Sequence, residues 1–394
     1  MEFKPAKRMD SLPFSGIRAI LEKANKMQAA GDNIIHLEIG RPDFDSPQKV
    51  KETAYEEIEK GNVFYTSNYG TPELRAAIAE FEKRKNGADY DPSEVLVTIG
   101  VCEATWNCMY ACLDPGDEVL VPNPVWLNYI HVPETLGAKA VTYSLKEEND
   151  FQIDVNELEK LVTPKTKMLV IVDPSNPIGG VFTKETLEKV AEFAIGYDLI
   201  VLSDEIYELL VYDGAKHTSI GSLPGMKERC VVINGFSKAF AMTGWRLGYF
   251  LAPKELYGSI IKIHQFGIMC APTASQYAGI EALKEGEADV REMRTAYDER
   301  RRYLLAVLKE LEIPCFEPLG AFYIFPDISQ FGMSSEEFCE KLLKEQKVAV
   351  VPGSAFGDCG DKHVRISYAY SLDELKEAME RLRRFVTNLR KNVK

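Results

Sequence analysis

One lysine in this chain stands where an amine nucleophile can be made. Lys238 follows the short apolar run Cys230–Asn234 and sits in a loop of small and apolar residues, Gly235-Phe236-Ser237-Lys238-Ala239-Phe240-Ala241. Apolar surroundings disfavour the ammonium form, and a neutral amine can attack a carbonyl to give a Schiff base. A lone lysine is most often a solvated surface charge, so the neighbours decide the matter. Arg246 follows eight residues later, beside Gly244 and Gly248. Its planar fork suits a bidentate grip on phosphate, and glycines let backbone approach a ligand. Two other apolar runs also lead to one polar group each: Asp204 follows Leu199–Ser203, and Asn176 follows Met168–Val172. Taken singly, the aspartate reads as a helix cap and Asn176-Pro177 as a turn. Together, three strand ends that each deliver a polar group mark the carboxyl edge of a sheet, where α/β proteins hold ligands.

The elements that must position these residues follow from pattern. Val95–Ile99, Glu118–Val121, Met168–Val172, Leu199–Ser203, Cys230–Asn234 and Leu247–Leu251 are short apolar runs between helical segments. That alternation predicts an α/β fold with a parallel sheet covered on both faces. Thr71-Pro72-Glu73 reads as an N-cap, a proline at the first helical position and an acid for the helix dipole. Ser334 with Glu337, Ser371 with Glu374 and Asp154 with Glu157 have the spacing of capping boxes. The last third changes character. A long helix over Glu287–Leu311, a strand at Ala321–Phe325, a helix over Ser334–Glu345, strands at Val348–Val351 and Val364–Ser367, and a terminal helix predict a smaller α+β unit. The helical stretch Phe14–Ala30 is its expected partner. The expected division is a large domain over 47–288 and a small one made of 1–46 and 289–394.

Composition sets limits on function. The 394 residues are 45% hydrophobic and 27% charged, the profile of a globular protein rather than a disordered or membrane chain. Lys plus Arg number 47 against 60 Asp plus Glu, a net charge of −13, so no global positive field recruits nucleic acid or anionic lipid. An anionic ligand must be met by local groups. There is no G-x-G-x-x-G and no G-x-x-x-x-G-K-[ST], which disfavours a dehydrogenase or a P-loop NTPase. The eight cysteines include no C-x-x-C, and the five histidines do not cluster, which argues against a metal site. The cysteines are expected to be mostly buried, reduced thiols. Met1–Arg8 lacks the apolar core of a signal peptide, so the expected compartment is the cytoplasm.

The stretch Ser237-Lys238-Ala239-Phe240-Ala241-Met242-Thr243-Gly244-Trp245-Arg246-Leu247-Gly248-Tyr249 closely resembles the lysine segment of class I/II aminotransferases, the pyridoxal-phosphate enzymes of fold type I. Four more segments match in order: Tyr65-Thr66 with Gly70 and Leu74-Arg75, Asp173–Gly180, Ser203-Asp204-Glu205-Ile206-Tyr207, and Val364-Arg365-Ile366-Ser367. The likeness runs from about Ile39 to Ser367. It implies a homodimer that binds pyridoxal 5'-phosphate and moves an amino group from an amino acid to a 2-oxo acid. It also implies roles. Lys238 would hold the cofactor aldehyde and then carry a proton at the substrate α-carbon. Asp204 would pair with the ring nitrogen, and Asn176 and Tyr207 would donate hydrogen bonds to the phenolic oxygen. Gly100, Val101 and Cys102 would offer backbone N–H groups to the phosphate, joined by Ser237, Arg246 and a tyrosine, Tyr65, reaching across from the second subunit. Trp126 would stack on the ring. Arg365 would clamp the substrate carboxylate with help from Gly40. Arg41, next to Gly40, has no assigned role.

Departures from the family pattern bear on the substrate. Ile178 replaces the usual Thr of N-P-T-G, and Val101-Cys102 replaces hydroxyl residues in the phosphate loop. Cys102 also stands where some aspartate-using relatives have a lysine that meets the distal carboxylate, which weakens an aspartate-only reading. The expected donors are therefore aspartate or aromatic amino acids, in a broad range. The rival chemistry is a carbon–sulfur β-lyase on the same fold.

Overall fold

The alternation of apolar runs with helical segments is realised as one seven-stranded sheet with helices on both faces. In the computed structural model, residues 3–10 and 12–392 are described, so the signal-peptide expectation at Met1 and Glu2 lies outside them. In chain order the strands are β1 (Ile35–His36), β2 (Val95–Thr98), β3 (Glu118–Asn123), β4 (Lys139–Ser144), β5 (Thr166–Val172), β6 (Ile200–Asp204), β7 (Cys230–Gly235), β8 (Gly248–Leu251), β9 (Tyr323–Ile324), β10 (Val348–Ala349), β11 (Val351–Pro352) and β12 (Val364–Ser367). The large sheet runs β2-β8-β7-β6-β5-β3-β4. Pairings β7–β6–β5–β3–β4 are parallel, whereas β8 is antiparallel to both β7 and β2. The sheet is therefore mainly parallel, as expected, with β8 as its one antiparallel strand. β8 returns from β7 through residues 236–247, which contain no helix to cross a face of the sheet, and it runs back alongside β7 in the opposite direction.

Side-chain alternation explains the two covered faces. Within β5, Leu169 and Ile171 enter one apolar cluster, while Met168, Val170 and Val172 enter the other. Successive strand residues point to opposite faces, so a strand buried on both sides reads as an unbroken apolar run. β4 lies outside the predicted strands. Lys139 and Thr142 are exposed on this edge strand, and their polar side chains break the run.

The last third differs from expectation in detail. Ala321–Phe325 contributes only the two-residue β9, and Val348–Val351 splits into β10 and β11, which pair with different partners. β10 lies parallel to β1, and β11 joins β12 and β9 in a small antiparallel sheet. A third apolar cluster forms there and draws in Ile20 and Ala24 of the helix Gly16–Ala29 as well as the terminal helix Leu372–Asn392.

The caps also sort themselves. Thr71 accepts from Leu74 N–H, and Ser371 with Glu374 closes a full capping box. Ser334 accepts from Glu337 N–H. Asp154 caps Asn156 N–H instead of working with Glu157, whose carboxylate accepts from Ser144 N–H at 2.7 Å and ties its helix to β4. A further box, absent from the predicted set, lies at Asp91 and Glu94. The cysteines are free but less buried than expected. Cys108, Cys230 and Cys339 are buried, and Cys102 and Cys359 are exposed. No helix among the described residues is long and apolar enough to cross a membrane.

Candidate active site

The carboxyl ends of β5, β6 and β7 open on one cavity of about 420 Å³. β6 ends at Asp204, which is 4% exposed. Its carboxylate accepts from the Tyr129 hydroxyl at 2.5 Å and from Ile206 N–H at 3.1 Å. Burial pushes its pKa up to about 6, against the pull of those hydrogen bonds and of the Lys238 charge. β7 leads into Lys238, whose Nζ donates to the Gly40 carbonyl at 2.6 Å and lies 5.6 Å from the ring centroids of both Tyr207 and Phe322. This lysine is half-buried, at the cavity wall, where it remains accessible to a reactant. β5 leads to Asn176, whose Oδ1 accepts from Arg365 at 3.2 Å, while its Nδ2 has no acceptor among the described residues. The Tyr207 hydroxyl meets that of Tyr323 at 2.8 Å.

Arg365 comes from β12, in the small sheet, and is only 2% exposed. One Nη donates to the Glu38 carbonyl at 2.6 Å, and the guanidinium lies 4.4 Å from the Tyr323 ring centroid and 4.9 Å from that of Phe356. Its Nε is buried without an acceptor. Among the described residues it has no carboxylate partner. A buried cation in that state carries a large desolvation cost, which an incoming carboxylate offsets.

The opposite end of the cavity is built for an anion. Gly100 caps the helix Val101–Cys112 with φ 99°, a conformation that favours glycine. A Cβ there would lie 2.9 Å from Arg246 Nη2, so a side chain would displace the guanidinium. The first N–H groups of the helix, on Val101 and Cys102, have no carbonyl four residues back, and the helix dipole adds positive potential. Arg246 is held by a bond from Nη1 to the Thr243 carbonyl at 2.9 Å. Here is the local positive field that the net charge of −13 does not supply.

The cavity brings together Gly40, Val101, Cys102, Trp126, Asn176, Asp204, Tyr207, Ser237, Lys238, Arg246 and Arg365. Gly100 lies just behind its wall, against Arg246. Tyr65 is not among the lining residues; it is 84% exposed on its own chain. Trp126 stands between this cavity and a neighbouring one, edge-on to Tyr129 at 5.8 Å. Sequence reasoning missed Tyr129, Tyr323 and Ile17, and gave Arg41 no place in the site. Tyr129 had a signal, three residues after Trp126 at the start of a helix and hence on nearly the same face. Tyr323 lay inside a predicted strand, where an aromatic reads as core.

Pyridoxal 5'-phosphate presents an aldehyde, a phenolic oxygen, a ring nitrogen and a phosphate. The cavity offers an amine, an amide with a phenol, a buried carboxylate and an anion cradle. The unpaired Arg365 leaves a place for a substrate carboxylate beside them. The donor set fits the cofactor.

Comparison with known proteins agrees. Residues 32–382 match the family model for aminotransferase class I and II. An aspartate aminotransferase of Pyrococcus abyssi is 46% identical over 378 residues, 95% of this chain and 96% of that one. An aromatic-amino-acid aminotransferase of Thermococcus litoralis is 45% identical over the same length, with the same coverage of 95% and 96%. Among solved structures, the aspartate aminotransferase of Thermus thermophilus with maleate superposes with a TM-score of 0.93 at 38% identity, covering 97% of this chain and 100% of that one. The fold is that of a fold type I pyridoxal-phosphate enzyme. The chain belongs to the class I and II aminotransferases, and it is a transaminase that uses pyridoxal 5'-phosphate. These relatives support amino transfer and not the carbon–sulfur β-lyase.

Proposed function

We propose that the enzyme takes the amino group of aspartate or an aromatic L-amino acid and passes it to a 2-oxo acid such as 2-oxoglutarate in two half-reactions, by a ping-pong mechanism. The observation that carries this reading is Arg365: buried, without a carboxylate of its own, and sharing a wall of the cavity with Lys238 and Asp204. Relatives named for aspartate and for aromatic amino acids support the range of donors.

The cofactor supplies an electron sink for the α-carbon. The rest falls to the chain. Lys238 would hold the cofactor through its aldehyde, and its amine would be the group that takes and returns a proton at the substrate α-carbon. Asp204 would keep the ring nitrogen protonated, and Tyr129 and Ile206 N–H hold its carboxylate in place. Asn176 Nδ2 and the Tyr207 hydroxyl would donate to the phenolic oxygen. Val101 and Cys102 N–H, Ser237 and Arg246 would hold the phosphate, Trp126 would cover the ring, and Arg365 with the Gly40 backbone would orient the substrate carboxylate.

The enzyme is proposed to work as a homodimer. Val63, Phe64, Tyr65, Phe266 and Met269 are all exposed apolar or aromatic residues, and Thr273 Oγ1 ties its helix to the Phe64 carbonyl at 2.6 Å. Such an exposed apolar surface suits a homodimer interface across which Tyr65 reaches the partner's phosphate site. The proposed domains are 47–288, and 1–46 with 289–394, and the proposed compartment is the cytoplasm. The test is a panel of amino donors with 2-oxoglutarate. Glutamate must appear with aspartate or an aromatic donor. Oxo acid released from a donor in the absence of any acceptor, beyond one equivalent per site, would refute amino transfer as the main activity.

A further inference from the structure

The cavity is lined by four cationic side chains, Lys238, Arg246, Arg365 and Arg41, and by one carboxylate, Asp204. In the proposed reading Lys238 would take the cofactor aldehyde, Arg246 the phosphate and Arg365 the substrate α-carboxylate. Arg41 is left over. It is exposed at the rim, and among the described residues it has no hydrogen-bond or ion-pair partner. Its other side borders a hollow that contains Asp373, Glu374 and Glu377 of the terminal helix. Those acids are engaged elsewhere. Asp373 lies 3.4 Å from Lys376, Glu377 lies 2.9 Å from Arg381, and Glu374 accepts from Ser371 in its capping box.

The backbone that carries Arg41 is held firmly against the reacting groups. The Glu38 carbonyl accepts from Arg365, and the Gly40 carbonyl accepts from Lys238. A Cβ at position 40 would lie 2.2 Å from the Tyr323 hydroxyl, so the segment packs closely on that ring. Pro42, buried, restricts residue 41 to extended backbone. Arg41 is thus the next residue along from the contact with the nucleophile, and its long side chain starts at the cavity wall.

We propose that Arg41 binds the side-chain carboxylate of a dicarboxylic substrate, an acidic amino acid or its 2-oxo acid, while Arg365 binds the α-carboxylate. The proposal rests on the amino-transfer reading of this site for its choice of substrate. A planar guanidinium pairs with a carboxylate through two parallel hydrogen bonds. Arg41 takes the place in charge balance that Cys102 cannot fill. Because it is exposed and unanchored, it can turn to solvent when an aromatic donor enters, leaving Ile17 and Trp126 as the apolar wall. One cavity then serves both donor classes without a buried charge opposing the aromatic ring.

The test uses the cofactor-loaded enzyme and two unreactive ligands, maleate and 3-phenylpropionate, with dissociation constants read from the visible absorbance of the bound cofactor. R41Q should lower the affinity for maleate relative to 3-phenylpropionate by about 10- to 100-fold, the loss of one charge-assisted pair. R41K should restore part of that ratio, since it keeps the charge but not the fork. The ratio of kcat/KM for aspartate to that for tyrosine should fall in R41Q by a similar factor. An unchanged maleate ratio, equal weakening of both ligands, or no maleate binding by the parent enzyme would overturn the proposal. Failure of the amino-transfer reading would look different: no donor would yield glutamate, yet R41Q would still discriminate against maleate.

Discussion

Buried charge occurs in two neighbouring places in this protein, and they are built in opposite ways. Asp204 and Glu205 are adjacent in sequence, and both are at most 4% exposed. Asp204 faces the cavity, where, among the described residues, Arg365 has no acid and Arg41 no hydrogen-bond or ion-pair partner. Glu205 faces a closed polar cluster, and every charge there is answered by a protein group. Its carboxylate accepts from Ser203 and Ser219 at 2.8 and 3.0 Å and pairs with His217 at 3.0 Å. The other ring nitrogen of His217 pairs with Asp173 at 2.8 Å. Close by, Glu82 accepts from Tyr249 at 2.5 Å, and Asn86 bridges Glu82 and Glu208. Burial raises the pKa of both Glu82 and Glu208, and the pair holds a proton more readily than a free acid would. The lesson is that burial alone does not mark function. A satisfied buried network sets one packing arrangement, whereas an unsatisfied one is poised for a ligand.

That contrast can be broken by mutation, starting with the largest effect. Lys238→Ala should cut turnover on the order of 10⁴-fold and abolish the visible absorbance of the covalently held cofactor, with the fold intact by circular dichroism. Transaminase activity near the parent level would sink the assignment of the nucleophile.

In the closed cluster the loss should appear in stability. His217→Ala removes the cation between two buried carboxylates and should cost about 3–5 kcal/mol in denaturant unfolding. Burial pulls the His217 pKa down, but Glu205 and Asp173 outweigh it and hold the value well above 6.5. A raised histidine pKa stabilises fully below the unfolded value and loses that contribution as pH rises through the folded one. The difference between parent and variant should therefore shrink at alkaline pH. A constant difference across that range would remove the charge from the explanation.

Asp204→Asn tests the cavity side. We expect kcat/KM to fall about 10²–10³-fold, since a positioned charge next to the reacting system is lost. Stability should respond the other way. Burial raises the folded pKa to about 6 from 3.8, so the cofactor-free parent loses stability as pH rises between those values. The asparagine variant should lack that slope in a pH series of melting temperatures. An identical slope would place its origin elsewhere.

The smallest effect sharpens the comparison most. Arg365→Met removes a buried cation that has no acid to lose. The cofactor-free variant should melt at or slightly above the parent temperature, although it binds substrate carboxylates far more weakly. Marked destabilisation would mean that Arg365 is a packing element first and a ligand group second.

Much of the site was legible because the chemistry sits at strand ends. Asn176, Asp204 and Lys238 each follow an unbroken apolar run, and a run buried on both faces announces its own end. The partner of Tyr129 was not legible, although its place three residues after Trp126 was. Tyr129 stands in a helix start far from Asp204 in sequence, and only the packing of that helix on the sheet brings its hydroxyl to the carboxylate. β4 was hidden because edge strands carry polar side chains. β8 was read as a strand, but its direction was not in its composition.

Taken by itself, the sequence determined most element types, the mostly parallel core and which polar residues end its strands, since hydrophobic period and strand-end residues are local properties of the chain. Which charges have partners was decided by the tertiary structure alone. Arg365 and Arg246 are both cations in the sequence, yet the first lacks an acid among the described residues and the second waits beside a helix start; His217, neutral by type, gains its charge only between two carboxylates. Pairing depends on distances between residues far apart in the chain, and local pattern carries no record of those distances.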